Sequence, residues 1–262
     1  MSKLKIFAIV FTAVIGLTST ANAATAILAT DDFVGISFWI ISMGMLAATA
    51  FLFLERGSVA INWRPSVTVA GLVTGIAFIN YMYMRGVWVK TYQTGDTLTV
   101  YRYLDWIITM PLQMVEFYLI LAAVRKVSLN IFWRILAGSL VMVVSGFLGE
   151  LDYINSLLGF VIAVAGWIYV LYEIYSGEAG EMVAKSGNKS LVTAYSAMRI
   201  IVTIGWAIYP LGYVFSYLTG SGSLDSNSLN IIYNLADFIN KIAFGLIIYA
   251  CAVSNTGYRF RS

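Results

Sequence analysis

Seven apolar runs, each about long enough to cross a bilayer, constrain this chain more than any other feature. They cover roughly Phe33–Leu54, Val67–Val87, Leu98–Val124, Ile131–Leu148, Ile154–Tyr175, Leu191–Leu218 and Leu229–Val253. A bilayer core takes about 20 helical residues. In lipid every main-chain polar group must bond within its own segment, so such runs are helices. Composition agrees: 11% of the residues are charged and 60% hydrophobic, where a soluble domain has about 25% charged. Mean hydropathy is +0.83. No polar stretch is long enough for a separate soluble domain. The expected fold is an all-α membrane protein, a seven-transmembrane helix bundle with short connections. Pro111 and Pro210 fall inside runs and predict kinks there.

Met1 to Ala23 reads as a cleaved signal peptide. Lys3 and Lys5 precede the apolar stretch Ile6 to Leu17, and Ala21-Asn22-Ala23 is a small-residue cleavage site. The alternative is an uncleaved anchor helix. Residues 24–262 then form the membrane domain. Lysine and arginine set its orientation. Arg56, Arg64, Arg125, Lys126, Arg134, Lys185, Lys189, Arg199, Arg259 and Arg261 flank one set of ends. The other set carries Asp31, Asp32, Asp96, Glu150, Asp152 and Asp225, against Arg85 and Lys90. The basic set is expected to be cytoplasmic. That puts the N-terminus outside and the C-terminus inside, as an odd number of spans requires. The expected location is the bacterial cytoplasmic (inner) membrane, as a multi-pass protein.

Charges inside the runs carry the chemistry. Asp237 and Lys241 lie four apart in the middle of the last run, so a helix stacks them on one face. An ionisable residue at that depth costs at least ~2.5–3.5 kcal/mol on insertion scales and must face the protein interior. Lys241 has two readings: a structural ion pair with Asp237, or a lysine whose desolvated amine bonds a carbonyl cofactor as a Schiff base. The third run holds Arg102, Asp105 and Glu116. The two carboxylates are eleven residues apart, close to three whole turns, and so share a face about 16 Å apart. Thr109 lies between them. A carboxylate on either side of a central amine suits a proton path; three separately satisfied structural charges are the alternative. Trp106, Trp167, Trp206 and Tyr209 could sandwich a flat conjugated ligand, or simply pack.

Other chemistry has little support. The chain has no histidine, and its one cysteine, Cys251, has no intrachain partner. No metal cluster and no nucleophile–base set is evident, so no metal is expected and the chain is not expected to be an enzyme. A net charge of +3, spread over membrane loops, gives no nucleic-acid signal.

Four segments carry a resemblance to a known family: GIAFINYMYMRGVW from Gly75, YRYLDWIITMPLQMVEFYLILAA from Tyr101, GWAIYPLGY from Gly205 and IYNLADFINKIAFGLII from Ile232. The chain resembles the microbial (type I) rhodopsins, and among them the proteorhodopsins, from about Phe33 to Val253. The resemblance implies a light-driven outward proton pump with all-trans retinal on Lys241 as a protonated Schiff base. It implies Asp105 as proton acceptor and primary counterion, Asp237 as second counterion, and Glu116 as cytoplasmic proton donor. Arg102, Thr109 and Asn80 would modulate the counterion. Tyr81, Trp106, Met110, Trp167, Trp206, Tyr209 and Pro210 would line the retinal pocket.

Gln113 falls at the family's colour-tuning position, where glutamine goes with blue absorption. Asn80 departs from the family, which usually has a histidine there; an amide can hydrogen-bond a carboxylate but carries no charge. Relatives with a carotenoid antenna have a glycine where this chain has Phe160, so no antenna is expected. The resemblance further implies a homo-oligomer, a pentamer or hexamer. Two competing functions remain. A slow-cycling blue-light photosensor is opposed by Glu116, and a retinal-independent carrier using the Lys–Asp pair leaves the matched segments unexplained.

Overall fold

The computed structural model describes residues 29–91, 98–215 and 225–259. The expected signal peptide, Met1–Ala23, lies outside the described residues, as do Asp96, Leu218 and Arg261. All regular secondary structure among the described residues is helical. The elements are α1 (Phe33–Glu55), α2 (Arg64–Thr91), α3 (Thr99–Ala122), α4 (Leu129–Glu150), α5 (Ser156–Tyr175), α6 (Glu178–Ala184), α7 (Lys189–Ile200), α8 (Trp206–Tyr213), α9 (Ser226–Asp237) and α10 (Phe244–Arg259). Two π-helical segments, Ile201–Gly205 and Phe238–Ala243, join α7 to α8 and α9 to α10. Seven helical stretches are long and apolar enough to cross a membrane, as the hydropathy predicts.

Their starts follow from ordinary capping chemistry. The first orphan N–H groups of a helix need acceptors. Asp32 accepts from Gly35 N at 2.8 Å, Asn155 from Leu158 N at 3.1 Å, Asn188 from Leu191 N at 3.0 Å and Asp225 from Ser228 N at 2.9 Å. Asp32 also takes two bonds from Trp88 Nε1, at 3.0 and 3.1 Å. A buried indole thereby ties the start of α1 to the end of α2.

α3 is the central post. Of its apolar window 67% is buried, against 28% for the window of α4. Its charged face therefore looks inward. Large apolar side chains such as Leu104, Ile108, Leu140, Val161 and Ile168 remain exposed on the outside of the bundle, as a lipid-facing surface requires. α4 and α5 approach backbone to backbone. A Cβ at Gly166 would stand 2.9 Å from Met142 N and 3.1 Å from Gly138 O, so only glycine permits that crossing.

Two features depart from the sequence expectation. The connection between the fifth and sixth spans holds the extra short helix α6. Arg134 of α4 clamps it, donating to Glu178 at 2.6 Å and to Glu173 of α5 at 3.0 Å. The helical irregularities also do not coincide with the prolines. α3 continues through Pro111 from Thr99 to Ala122. The wide π turns come instead one turn before Pro210 and around Lys241 itself.

Candidate functional site

α3 and the seventh span bring one amine and two carboxylates together at the bundle centre. Lys241 Nζ donates to Asp105 Oδ2 and, at 3.1 Å, to Asp237 Oδ2. All three are buried, with 1–3% of their surface exposed. Lys241 lies in the π-helical segment, a wider turn that recurs at functional positions.

The two carboxylates have different surroundings. Asp237 Oδ2 also accepts from Tyr81 Oη at 2.8 Å, and its Oδ1 accepts from Tyr209 Oη at 2.5 Å. Both of its oxygens are committed. Asp105 bonds Lys241 through Oδ2, while its Oδ1 is buried with no hydrogen-bond partner. An unpaired lone pair in a low-dielectric interior is costly unless a proton or a water takes it. Asp105 thus bonds the lysine through one oxygen, and Asp237 is held through both.

Arg102 closes the cluster toward the α9 start. Its Nη1 donates to Tyr81 Oη at 3.1 Å, and its Nη2 to Asn230 Oδ1 at 3.0 Å and Asn234 Oδ1 at 2.7 Å. The guanidinium also lies over the rings of Phe38, Tyr81 and Tyr233, 5.5–5.9 Å from their centroids. Asn234 Nδ2 passes the network on to Ser37 Oγ at 2.8 Å. Asn230 and Asn234 escaped the sequence reading. The signal was present: 230, 234, 237 and 241 form a polar stripe at helical spacing on an otherwise apolar span.

Asn80 and Thr109, the other two residues expected as modulators, both reach main-chain carbonyls. Asn80 Nδ2 donates to the main-chain carbonyl of Tyr101 at 3.1 Å. It ties α2 to the first turn of α3 and bonds no carboxylate. Thr109 Oγ1 donates to the Asp105 carbonyl at 3.0 Å, so it braces the main chain beneath the acceptor.

Beside the cluster runs an apolar slot lined by Trp106, Met110, Trp167, Trp206, Tyr209 and Pro210 among others. All six are among the residues expected around the cofactor. Tyr81 was expected with them but lies off the slot, its hydroxyl shared between Arg102 and Asp237. The reason is that α2 faces the charges while α3, α5 and α8 face the slot. The slot's inner end abuts the cluster, because Trp106 follows Asp105 in the chain and Tyr209 bonds Asp237. Indole and phenol walls suit a flat conjugated chain, and the Trp106 Nε1 is buried without a partner. At the outer wall Phe160 stacks on Tyr213, with centroids 5.5 Å apart and rings inclined by 9°.

Glu116 is fully buried on the same face of α3. Ser66 and the main chain of Ala70, both of α2, lie beside its carboxyl group. Gln113, one turn from Glu116, donates from Nε2 to the main-chain carbonyl of Asn240 at 3.1 Å. Among the described residues no three metal-ligating side chains group together.

Comparison with known proteins gives a consistent match. Residues 32–255 match the model of the family described as bacteriorhodopsin-like protein. The chain is 53% identical over 226 residues to the blue-light absorbing proteorhodopsin of Gamma-proteobacterium Hot 75m4, covering 86% of this chain and 88% of that one. It is 49% identical over 226 residues to the green-light absorbing proteorhodopsin of Gamma-proteobacterium EBAC31A08, covering 86% and 89%. The crystal structure of blue light-absorbing proteorhodopsin from Med12 superposes with a TM-score of 0.71 at 47% identity, over 86% of this chain and all of that chain.

Proposed function

The chain belongs to the bacteriorhodopsin-like family, and from that premise we propose that it is a light-driven outward proton pump. It is a multi-pass membrane protein and a light-driven retinal protein. Retinal, joined covalently to a lysine amine, supplies the light absorption and the isomerisation that displaces that nitrogen. Lys241 is the lysine: it is buried in the bundle centre and bonds Asp237, which accepts from Tyr209 of the aromatic slot.

The observation that carries the pump is the unequal bonding of the two carboxylates. Asp105 bonds Lys241 through one oxygen, while both oxygens of Asp237 accept hydrogen bonds, from Tyr209, Tyr81 and Lys241. Asp105 therefore accepts the proton from the Lys241 nitrogen. Asp237, held by two phenols and backed by Arg102, remains the counterion through the cycle. Glu116 returns a proton from the opposite direction. It lies about 16 Å along α3, and no cation is bonded to it, so it keeps a proton until the Lys241 nitrogen needs one. Arg102, Asn230, Asn234 and Ser37 lead from Tyr81, which bonds Asp237, toward the start of α1. With the basic ends in the cytoplasm, the path runs outward across a bacterial inner membrane. Gln113 favours blue absorption, and Phe160 over Tyr213 leaves no bed for a carotenoid. A homo-oligomer, and transport without enzymatic catalysis, complete the reading.

The direct test is the pH of an unbuffered suspension of cells expressing the chain with added retinal, under blue light. The expected result is acidification that a protonophore abolishes. Visibly pigmented cells with no light-driven pH change would assign the protein to light sensing. Glu116→Gln should leave colour and the first proton transfer intact and slow reprotonation roughly 100-fold, the usual scale for losing a positioned proton donor. An unchanged photocycle by flash photolysis would remove Glu116 from the path.

A further inference from the structure

Both π segments leave main-chain carbonyls to be satisfied from outside the helix, and each carbonyl is taken by a side chain from a neighbouring span. Trp167 Nε1 donates to Val202 O at 2.9 Å, and Gln113 Nε2 to Asn240 O at 3.1 Å. The second of these reaches the residue beside Lys241. The side chain of Asn240 continues the chain of bonds. Its Nδ2 donates to Tyr209 Oη at 3.2 Å, and Tyr209 Oη donates to Asp237 Oδ1 at 2.5 Å. Asn240 is buried, with 2% exposure. Its Oδ1 occupies the place where Gly205 lacks a Cβ; any larger residue at 205 would displace the amide. Gln113 itself does not line the aromatic slot.

From this geometry we infer that Asn240 is a positioning residue that couples Gln113 to the counterion. Gln113 holds the Asn240 main chain, the Asn240 amide holds the Tyr209 hydroxyl, and that hydroxyl sets how firmly Asp237 is bound. Gln113 then governs colour chiefly by fixing the charge near the Lys241 nitrogen, and only secondarily by its own dipole. The inference rests on the assignments of Lys241 as the retinal lysine and Gln113 as the colour residue. It adds the route between them.

A double-mutant cycle on the resting absorption maximum tests it. Gln113→Leu, Asn240→Ala and the pair are made in the full chain and reconstituted with retinal. Asn240→Ala removes the bond to Tyr209 but keeps the carbonyl that Gln113 needs. Residues in one network give non-additive effects, so the Gln113→Leu shift should fall by about half or more in the Asn240→Ala background. Gly205→Ala, which alters no member of the chain of bonds but crowds the Asn240 amide, should reduce the shift in the same direction. It also serves if Asn240→Ala gives little pigment. A Gln113→Leu shift that survives at full size in both backgrounds overturns the coupling and leaves the colour assignment standing. Gln113→Leu protein absorbing where the parent does would overturn the colour assignment, and the coupling with it.

Discussion

Lys241→Ala protein, expressed with retinal, is expected to be colourless. Among the described residues the amine is the one lysine nitrogen buried between two carboxylates. If Lys241 is the retinal lysine, as proposed, alanine removes the bond to the chromophore outright, so visible absorption should be lost and not merely shifted. The variant also leaves Asp105 and Asp237 facing each other without a cation. Removing one partner of a buried ion pair destabilises by about 3–5 kcal/mol, so loss of colour could reflect loss of fold. Lys241→Arg separates the two. It restores a positive charge to both carboxylates but forms no stable bond to a carbonyl, and should give folded, colourless protein by circular dichroism and gel filtration. Pigment of parental absorption from either variant would remove Lys241 from the function.

Most of this site was legible in the sequence because bilayer physics simplifies the text. A charge in an apolar run must point inward, so Arg102, Asp105, Glu116, Asp237 and Lys241 announced themselves by position alone. Helical spacing then placed Asp105 and Glu116 on one face, and Asp237 and Lys241 on another. Hydropathy found the seven spans because their length is set by the membrane and not by local propensity. What stayed hidden is of a different kind. A π turn has no residue signature; it inserts one residue into the ladder and shows only in how the next turns meet their neighbours. The two around Val202 and Asn240 were therefore invisible, and Pro111 and Pro210 were expected to mark the irregularities instead. α6 is seven residues of mixed polarity, too short for a periodicity, and it is held by the distant Arg134. Asn80 and Tyr81 are adjacent in the chain, yet one bonds the Tyr101 main chain and the other joins the counterion. Only the facing of α2 separates them.

Asp105→Asn should form pigment and fail to pump. Asparagine has nearly the size of aspartate, and its Oδ1 can still accept from Lys241. The bundle should therefore close around it, and the aromatic slot is untouched. Two things change. The resting site loses one negative charge beside a positively charged nitrogen. That charge stabilises the ground state, in which the positive charge sits near Lys241, more than the excited state, in which it has moved away. Absorption should shift to longer wavelength. The amide also cannot take up the departing proton, and Asp237 already accepts from Tyr81, Tyr209 and Lys241, bonds that a proton on it would weaken. Losing a positioned base costs about 10²–10⁴-fold in a proton-transfer step, so light-driven acidification should fall below about 1% of the parent's. Infrared difference spectra add a test of identity. A carboxylic C=O stretch that rises on illumination of the parent should be missing from Asp105→Asn. Vigorous pumping by the variant, or persistence of that band, would transfer the acceptor role to another carboxylate and sink the argument from unequal bonding.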